Sequence, residues 1–261
     1  MRQAGSHKGE NGTVAVIGGS RHQHGAPLFS ALAAEASGVD LVYVFVPVCH
    51  EEAAKSTSLN FQVFTFGSAK SDELSSADRT HIVEFLATID AAVIGPGLSR
   101  TPSGVAAILE LLEAIPCTCV ADASALQEGT LKYLFGRHNV VTPHLGELER
   151  MGLTREALPA VAKKHACTML LKSQTDTIVT EDGSLRTVEG GNAGLTVGGT
   201  GDALAGLTAG LIAQGMDHAD ACVLASTVIK SAGDQLLADM GYAYTTRDVI
   251  RRIPALLKGK I

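Results

Sequence analysis

The sequence of 261 residues lacks a long apolar run, an excess of basic charge and any internal repeat. No stretch reaches the roughly 18 apolar residues of a membrane helix, and the first twelve residues contain no apolar core for export. The 21 Lys and Arg residues stand against 27 Asp and Glu, so the formal net charge of −6 gives no general attraction for nucleic acid. We therefore expect a cytoplasmic protein that binds neither membranes nor nucleic acid.

Cysteine is scarce, and its count of five is odd. Most of these cysteines stand in or beside apolar runs, where a small buried thiol fits well, so reduced thiols are expected. Cys117 and Cys119 form a C-x-C pair on a predicted strand, and we interpret their side chains as pointing to opposite faces. No cluster of carboxylates marks a metal cage either. The sequence therefore predicts no metal held by protein ligands.

What the sequence does contain is a regular alternation of apolar runs with helical patterns, and 46% of its residues are hydrophobic. Runs without polar alternation are typical of strands buried on both faces. They predict strands at Thr13–Ile17, Leu41–Val46, Ala91–Ile94, Cys117–Ala121, Val140–Thr142, Thr168–Leu171 and Thr177–Thr180. Helical periodicity is found at Ala26–Ser37, Ala77–Thr88, Gly104–Ala114, Arg155–His165, Asp202–Gln214, His218–Asp239 and Thr246–Leu257. This order predicts an α/β fold in one domain, residues 1–261, with a mainly parallel central sheet flanked by helices on both faces.

Polar residues and glycines follow several predicted strands at the point where each strand ends. Gly97, Asp122, His144 with Glu147, and Lys172 each come shortly after such a run. Parallel strands bring their carboxyl ends to one edge of the sheet, where ligands bind. We therefore expect glycine, imidazole, carboxylate and ammonium groups to meet at this edge.

The strongest local signal is a segment with six glycines among residues 190–201, which ends in the sequence GGTGD. The backbone N–H groups of Gly199, Thr200 and Gly201 precede a predicted helix and form a candidate anion hole, because free donors coincide there with the positive end of the helix dipole. A phosphate is the expected ligand of this anion hole. Asp202 follows directly, and it is a candidate base for a hydroxyl that attacks phosphorus; the alternative is that it only caps the helix.

The common nucleotide fingerprints are absent. No G-x-x-x-x-G-K-[ST] motif occurs, and the Gly95-Pro96-Gly97 segment lacks the third glycine of G-x-G-x-x-G. Walker-type and dinucleotide-binding folds are therefore not expected. The two glycines still indicate a close backbone approach, either by a neighbouring loop or by a ligand.

Seven short motifs follow one another along nearly the whole chain. They are His7–Gly12, Val16–Ser20, Gly25–Pro27, Gly95–Leu98, Thr142–Leu148, Lys172–Asp176 and Gly198–Gly206. Their order resembles that of the ADP- or ATP-dependent NAD(P)H-hydrate dehydratases, a ribokinase-like family. GGTGD is shared by many ribokinase-like enzymes, whereas HKG near the start, GGS followed by GAP, and TPH-x-GE are narrower signals.

The resemblance implies repair of the S-form of hydrated NADH or NADPH. ADP or ATP, with Mg²⁺, would phosphorylate the hydroxyl of the damaged nicotinamide ring, and phosphate would then leave. The resemblance also implies a ribokinase-like fold without a lid domain, and a homotetramer. Contacts to the hydrate are implied for Ala26, Gly97, His144 and Asp202, with Asp202 as the catalytic residue, and contacts to the adenine nucleotide for Lys172, Ser173, Gln174, Thr175, Asp176 and Gly201.

The chain departs from the family pattern at one strand end. The family usually reads D-A-D-A-L-N where this chain has Asp122-Ala123-Ser124-Ala125-Leu126-Gln127, so the second carboxylate and the asparagine are missing. Three alternatives stay open beside the dehydratase. A vitamin-pathway kinase would phosphorylate a small alcohol and stop there, and a nucleotide sensor would have no need of Asp202. A sugar kinase would need an early β lid, for which residues 20–26 are too short.

Overall fold

The computed structural model describes residues 5–68, 71–134, 136 and 138–261. Across these residues nine strands form one sheet in the order β3-β2-β1-β4-β5-β6-β7-β8-β9. Neighbours are parallel from β3 to β7, and β8 and β9 are added antiparallel. The strands are β1 Thr13–Ile17, β2 Leu41–Pro47, β3 Phe61–Phe66, β4 Ala91–Ile94, β5 Thr118–Ala121, β6 Asn139–Val141, β7 Cys167–Leu171, β8 Asp176–Val179 and β9 Leu185–Val188. The mainly parallel sheet expected from the sequence is confirmed.

Ten α-helices accompany the sheet within the described ranges. They are α1 Gly25–Ala36, α2 Glu51–Thr57, α3 Arg79–Leu86, α4 Pro102–Ala114, α5 Thr130–Tyr133, α6 Leu145–Arg150, α7 Leu158–His165, α8 Thr200–Ala213, α9 His218–Met240 and α10 Thr246–Leu257. Short 3₁₀ turns at Ser76–Asp78 and Arg155–Ala157 lead into α3 and α7. The seven helices predicted from periodicity are confirmed, with ends that differ by a few residues.

Two hydrophobic layers cover the sheet. Residues of α1, α8, α9 and α10 pack on one face in a core that includes Val14 and Val16 of β1. Residues of α3 to α7 pack on the other face with Ala15 and Ile17 of the same strand. Because alternate residues of a strand point to opposite faces, β1 contributes to both cores. The prediction of helices on both faces is therefore confirmed.

The interpretation of the two cysteines in C-x-C was wrong. Residues two apart on a strand point to the same face, and Cys119 is buried in the same core against which Cys117 packs. The described residues nevertheless contain no group of three or more His, Cys, Asp or Glu side chains placed to hold a metal ion. In the same part of the chain, no helix is long and apolar enough to cross a membrane.

Close packing of α1 against α8 fixes the start of α8 over the sheet. A Cβ at Gly206 would lie 2.0 Å from the main-chain oxygen of Ser30, so only glycine permits this approach. The Ser30 hydroxyl donates a hydrogen bond of 2.8 Å to the main-chain oxygen of Asp202. The first turn of α8 is therefore held at the carboxyl edge of the sheet by its neighbour.

Candidate active site

The GGTGD loop enters α8 through Gly199, which has a left-handed backbone with φ of +98°. A Cβ at this position would lie 2.4 Å from Cδ2 of Phe29, so both conformation and space require glycine. The N–H groups of Gly199 and Gly201 have no hydrogen-bond acceptor among the described residues, whereas that of Thr200 reaches the Val197 oxygen at 3.4 Å. These free donors stand at the N-terminus of a 14-residue helix. The loop thus has the geometry of an anion hole.

Asp202 is the third residue of α8, yet its side chain makes no capping hydrogen bond at the start of that helix. Its pKa is raised from the usual 3.8 to about 7, chiefly by burial and further by the negative charges of Asp122 and Glu147, while the Lys172 ammonium opposes the rise. A carboxyl group that titrates near neutrality can both take up and release a proton at physiological pH. This environment suits a general base better than a helix cap.

Lys172 lies behind the loop in a buried ion-pair cluster. Its Nζ is 2.6 Å from Oδ1 of Asp122 and 3.4 Å from Oε2 of Glu147. The cluster also borders the anion hole, because a Cβ at Gly201 would lie 3.3 Å from the same Nζ. Burial by itself lowers the pKa of Lys172, but Asp122 and Glu147 outweigh it and raise the pKa above its usual value. The ammonium therefore keeps its positive charge beside the glycine loop.

His144 and Glu147 form a reciprocal cap at the start of α6. The Glu147 N–H donates to Nδ1 of His144 at 3.3 Å, and the His144 N–H donates to Oε2 of Glu147 at 2.8 Å. Because Nδ1 accepts, the neutral ring carries its proton on Nε2. The imidazole remains 58% exposed. Its Nε2 lies 3.5 Å from Oε1 of Glu147, and the exposed part of the ring lines both cavities of the cleft.

Two cavities meet at His144, one on each side of the GGTGD loop. The first cavity, of about 490 Å³, brings together the four residues that the resemblance assigned to the hydrate. Its lining is Gln23, Ala26, Phe29, Gly97, Arg100, Ala123, Ser124, His144, Glu147, Arg150, Gly198, Gly199 and Asp202.

The second cavity, of about 640 Å³, brings together Lys172, Ser173, Gln174, Thr200 and Gly201. Its other lining residues are His144, Gly190, Gly191, Asn192, Ala193, Leu195, Thr196, Val197 and Lys230. Four of the six residues implied as nucleotide contacts thus line this one cavity.

Two of the implied nucleotide contacts do not line the second cavity. Thr175 lies in the same turn, and its main-chain oxygen accepts a hydrogen bond from the Ser173 hydroxyl. Asp176 is buried below, where it accepts hydrogen bonds from the Ser173 N–H at 2.8 Å and from the Ser226 hydroxyl at 2.7 Å. In this structure both residues shape the turn that forms the cavity wall.

Sequence reasoning missed Lys230, a buried lysine of α9. Its Nζ donates to the main-chain oxygens of Gln174 at 2.7 Å, Ser173 at 3.3 Å and Gly190 at 3.3 Å. It thereby ties together two loops of the second cavity. The available signal was a single lysine on the buried side of an otherwise apolar helix pattern, and such a residue is almost never buried without a partner.

Neighbouring loops approach the Gly95 and Gly97 backbone closely, as one of the two expected alternatives predicts. A Cβ at Gly95 would lie 1.9 Å from the Asp122 oxygen, and one at Gly97 would lie 2.6 Å from the Gln23 oxygen. Gly97 also lines the first cavity. The segment thus packs three strand-end loops together beside the site.

Comparison with known proteins gives a consistent result. The sequence profile described as NAD(P)H-hydrate dehydratase matches residues 14–255. An ADP-dependent (S)-NAD(P)H-hydrate dehydratase of Cenarchaeum symbiosum is 34% identical over 269 residues, covering 98% of this chain and 92% of the relative. A crystal structure of a ribokinase-like superfamily protein from Enterococcus faecalis is similar, with a TM-score of 0.81, 26% identity and coverage of 99% of this chain and 90% of the other.

A second solved structure supports the fold. The ADP/ATP-dependent NAD(P)H-hydrate dehydratase of Bacillus subtilis, co-crystallised with ATP and Mg²⁺, has a TM-score of 0.80 at 24% identity, covering 99% of this chain and 93% of that structure. The ribokinase-like fold is therefore confirmed, and the nine strands of the described residues lie in one sheet with no separate lid. With its profile match and its relative at 34% identity, the chain belongs to the NAD(P)H-hydrate dehydratase family.

Proposed function

We propose that this protein, as a single domain over residues 1–261, dehydrates the S-form of NADH or NADPH hydrate with ADP or ATP as the phosphoryl donor. The observation that carries the proposal is the pair of cavities that meet at His144 on either side of the GGTGD loop. One cavity contains a carboxyl group that titrates near neutrality, and the other has glycine-rich walls and two lysines. This arrangement suits transfer of a phosphoryl group from one ligand to another across the loop.

The adenine nucleotide binds in the second cavity, with its terminal phosphate over the free N–H groups of Gly199 and Gly201. The hydrate binds in the first cavity, with its ring hydroxyl at Asp202. As the hydroxyl oxygen attacks phosphorus, the Asp202 carboxylate takes up the hydroxyl proton, and the bond between phosphorus and the donor nucleotide breaks. The products of this step are a phosphorylated hydrate and a nucleotide shorter by one phosphate.

The second step removes the phosphate. The ring C–O bond breaks with its electron pair leaving on phosphate, and the neighbouring ring carbon gives its proton to water as the double bond forms. Phosphate is a far better leaving group than hydroxide, so the first step makes the second possible. The overall reaction turns the hydrate and ATP, or ADP, into the reduced dinucleotide, inorganic phosphate and ADP, or AMP.

The chemistry of the donor set does not fit a metal ion held by the protein. Asp122 and Glu147, the carboxylates beside the glycine loop, face the Lys172 ammonium. The described residues contain no group of three or more His, Cys, Asp or Glu side chains placed to hold a metal ion. We propose that Mg²⁺ enters with the phosphates of the nucleotide, where it would neutralise charge. No step above depends on it.

The proposal includes a homotetramer in the cytoplasm. Both cavities are open at the carboxyl edge of the sheet, where water would compete for the phosphoryl group, so cover by a neighbouring subunit would favour the reaction. Light scattering at micromolar concentration tests the assembly. A monomer with full activity would contradict it.

The direct test of the function is an absorbance assay on NADH hydrate prepared by heat or acid. With ADP or ATP present, the band of the reduced nicotinamide should return with time, and one nucleotide should be consumed per NADH formed. Without nucleotide, or with the R-form alone, the band should not return. If the enzyme consumed nucleotide to phosphorylate a small vitamin-type alcohol and recovered no NADH, the result would favour a kinase. Nucleotide binding without turnover would favour a sensor.

A further inference from the structure

Two arginines on the wall of the first cavity have no part in the mechanism above. Arg100 lies in the loop between β4 and α4, and Arg150 ends α6. Both line the same cavity as Asp202. Neither makes a hydrogen bond or an ion pair with Asp202 among the described residues.

Arg150 is held in place by main-chain oxygens. Its Nε donates to the Leu126 oxygen at 2.7 Å and its Nη2 to the Ala123 oxygen at 2.6 Å, while Oε1 of Glu147 lies 4.0 Å away. Burial lowers the pKa of Arg150, and the positive charge of Arg100 lowers it further, against the attraction of Glu147. Both arginines therefore add positive charge to the lining of the first cavity.

Arg100 has no hydrogen-bond or ion-pair partner within the described ranges. The carboxylate that contacts its loop, Glu73, instead accepts hydrogen bonds from Ser99 at 2.7 Å and from Thr101 at 3.0 Å. These contacts hold the residues on both sides of Arg100, whose own side chain is exposed and lines the first cavity. By contrast, the exposed Arg21 is paired with Asp72 at 2.8 Å.

Two guanidinium groups that line one cavity, of which Arg100 has no carboxylate partner within the described ranges, are stabilised when an anion binds both. A dinucleotide hydrate has such anions away from its reacting ring, in its diphosphate and, for the NADPH form, in its 2′-phosphate. We propose that Arg100 and Arg150 form a phosphate subsite of the first cavity, which binds the diphosphate of the hydrate. This inference rests on the proposed function and extends it to the part of the substrate that does not react.

The test compares wild type with Arg100→Gln on three substrates: NADH hydrate, NADPH hydrate and the hydrate of reduced nicotinamide riboside, which has no phosphate. Arg100 is the position to change, because Arg150 also holds the Ala123–Leu126 loop. For both dinucleotide hydrates we expect KM to rise about 10-fold with kcat within about twofold, as for loss of one charge-assisted hydrogen bond. The kinetic constants for the riboside hydrate should not change.

Arg21→Gln is the matched control, since Arg21 is an exposed arginine that does not line the first cavity, and it should behave as wild type. A loss confined to NADPH hydrate would overturn the diphosphate assignment in favour of the 2′-phosphate. Equal losses on all three substrates, or no loss on any, would overturn the subsite itself. KM for NADH hydrate should also rise with salt in wild type and rise less in Arg100→Gln. Absence of turnover in wild type would instead contradict the proposed function.

Discussion

The two cavities are built in different ways, although they share a loop and a histidine. The first cavity has charged side chains on its walls, among them Arg100, Glu147, Arg150 and Asp202. The second is walled mainly by glycine-rich backbone and small residues, with Lys172 and Lys230 as its charged groups. Side-chain atoms thus provide most of the chemistry of the first cavity, whereas the second depends on where the backbone is held.

This difference predicts how each cavity responds to mutation. In the first cavity, an isosteric change at one side chain should remove the chemistry or the hydrate contact of that side chain and leave nucleotide binding and folding nearly intact. In the second cavity, the important changes are those that move loops, and they should act through nucleotide affinity. Four sets of variants test this contrast, beginning with the largest expected effect.

Asp202→Asn should reduce kcat by roughly 10²–10⁴, the usual contribution of a general base. Nucleotide affinity should hold or improve, because a negative charge next to the bound phosphate is removed. In wild type kcat should rise with pH through about 7, as the carboxyl group of Asp202 loses its proton, and this limb should be absent from the variant. Steady-state absorbance assays and calorimetry with nucleotide measure the two effects separately.

The same substitution should not destabilise the fold. The pKa of Asp202 is higher in the folded protein than the usual 3.8, so its contribution to stability is present below pH 3.8 and is lost as pH rises through about 7. At pH 8 the variant should therefore unfold at the same temperature as wild type or a higher one. Asp239→Asn, which breaks an exposed ion pair with Arg252, is the matched control. Retention of more than about a third of kcat by Asp202→Asn would contradict the role of base.

Gly199→Ala and Gly198→Ala compare two adjacent glycines of the shared loop. An alanine at Gly199 would have an unfavourable φ of +98° and a Cβ 2.4 Å from the Phe29 ring, whereas a Cβ at Gly198 meets nothing within 4 Å. We expect Gly199→Ala to cost at least about 1–3 kcal/mol of stability and most of the activity. Gly198→Ala should unfold within about 1 °C of wild type. Thermal unfolding followed by circular dichroism measures both, and equal destabilisation would show that the loop can rearrange.

Lys230→Met should raise KM for ADP or ATP by about 10-fold, because three main-chain oxygens of the nucleotide cavity lose their shared donor. KM for the hydrate should stay within about twofold. At saturating nucleotide the variant should reach most of the wild-type rate. Lys55→Met, at an exposed lysine of α2 paired with Glu51, is the control. If Lys230→Met proves unstable, Lys230→Gln keeps a donor and should show a smaller rise. Equal increases in both KM values would contradict a role confined to the second cavity.

The sequence was most informative where a signal is local. The strands buried on both faces and the helix that follows the GGTGD segment depend on residues next to each other in the chain, and both were predicted correctly. β3 and β9 were missed because they are edge strands, in which exposed polar residues interrupt the apolar run. The helix α6 was missed because it is only six residues long and is capped by a histidine.

Other features depend on contacts between distant parts of the chain. Lys230 lies 56 residues from its partner Gln174, so no local sequence pattern predicts the contact. The open position of Arg100 depends on Glu73, whose hydrogen bonds to Ser99 and Thr101 connect two loops. Site residues of this kind depend on the fold, and they can be identified only from the three-dimensional structure.

His144 is the residue that both cavities share, and its substitution is the smallest change and the sharpest test of the comparison. In His144→Asn the amide oxygen can still accept from the Glu147 N–H, so α6 keeps its cap while the imidazole edge is lost. Because Glu147, its capping partner, lines only the first cavity, we expect KM for the hydrate to rise about threefold, as for one neutral hydrogen bond, with nucleotide affinity within about twofold. His144→Ala should show the same kinetic change and, through loss of the cap, a further cost of about 1 kcal/mol in stability. A change in nucleotide affinity alone would assign the ring to the second cavity and remove it from the hydrate site.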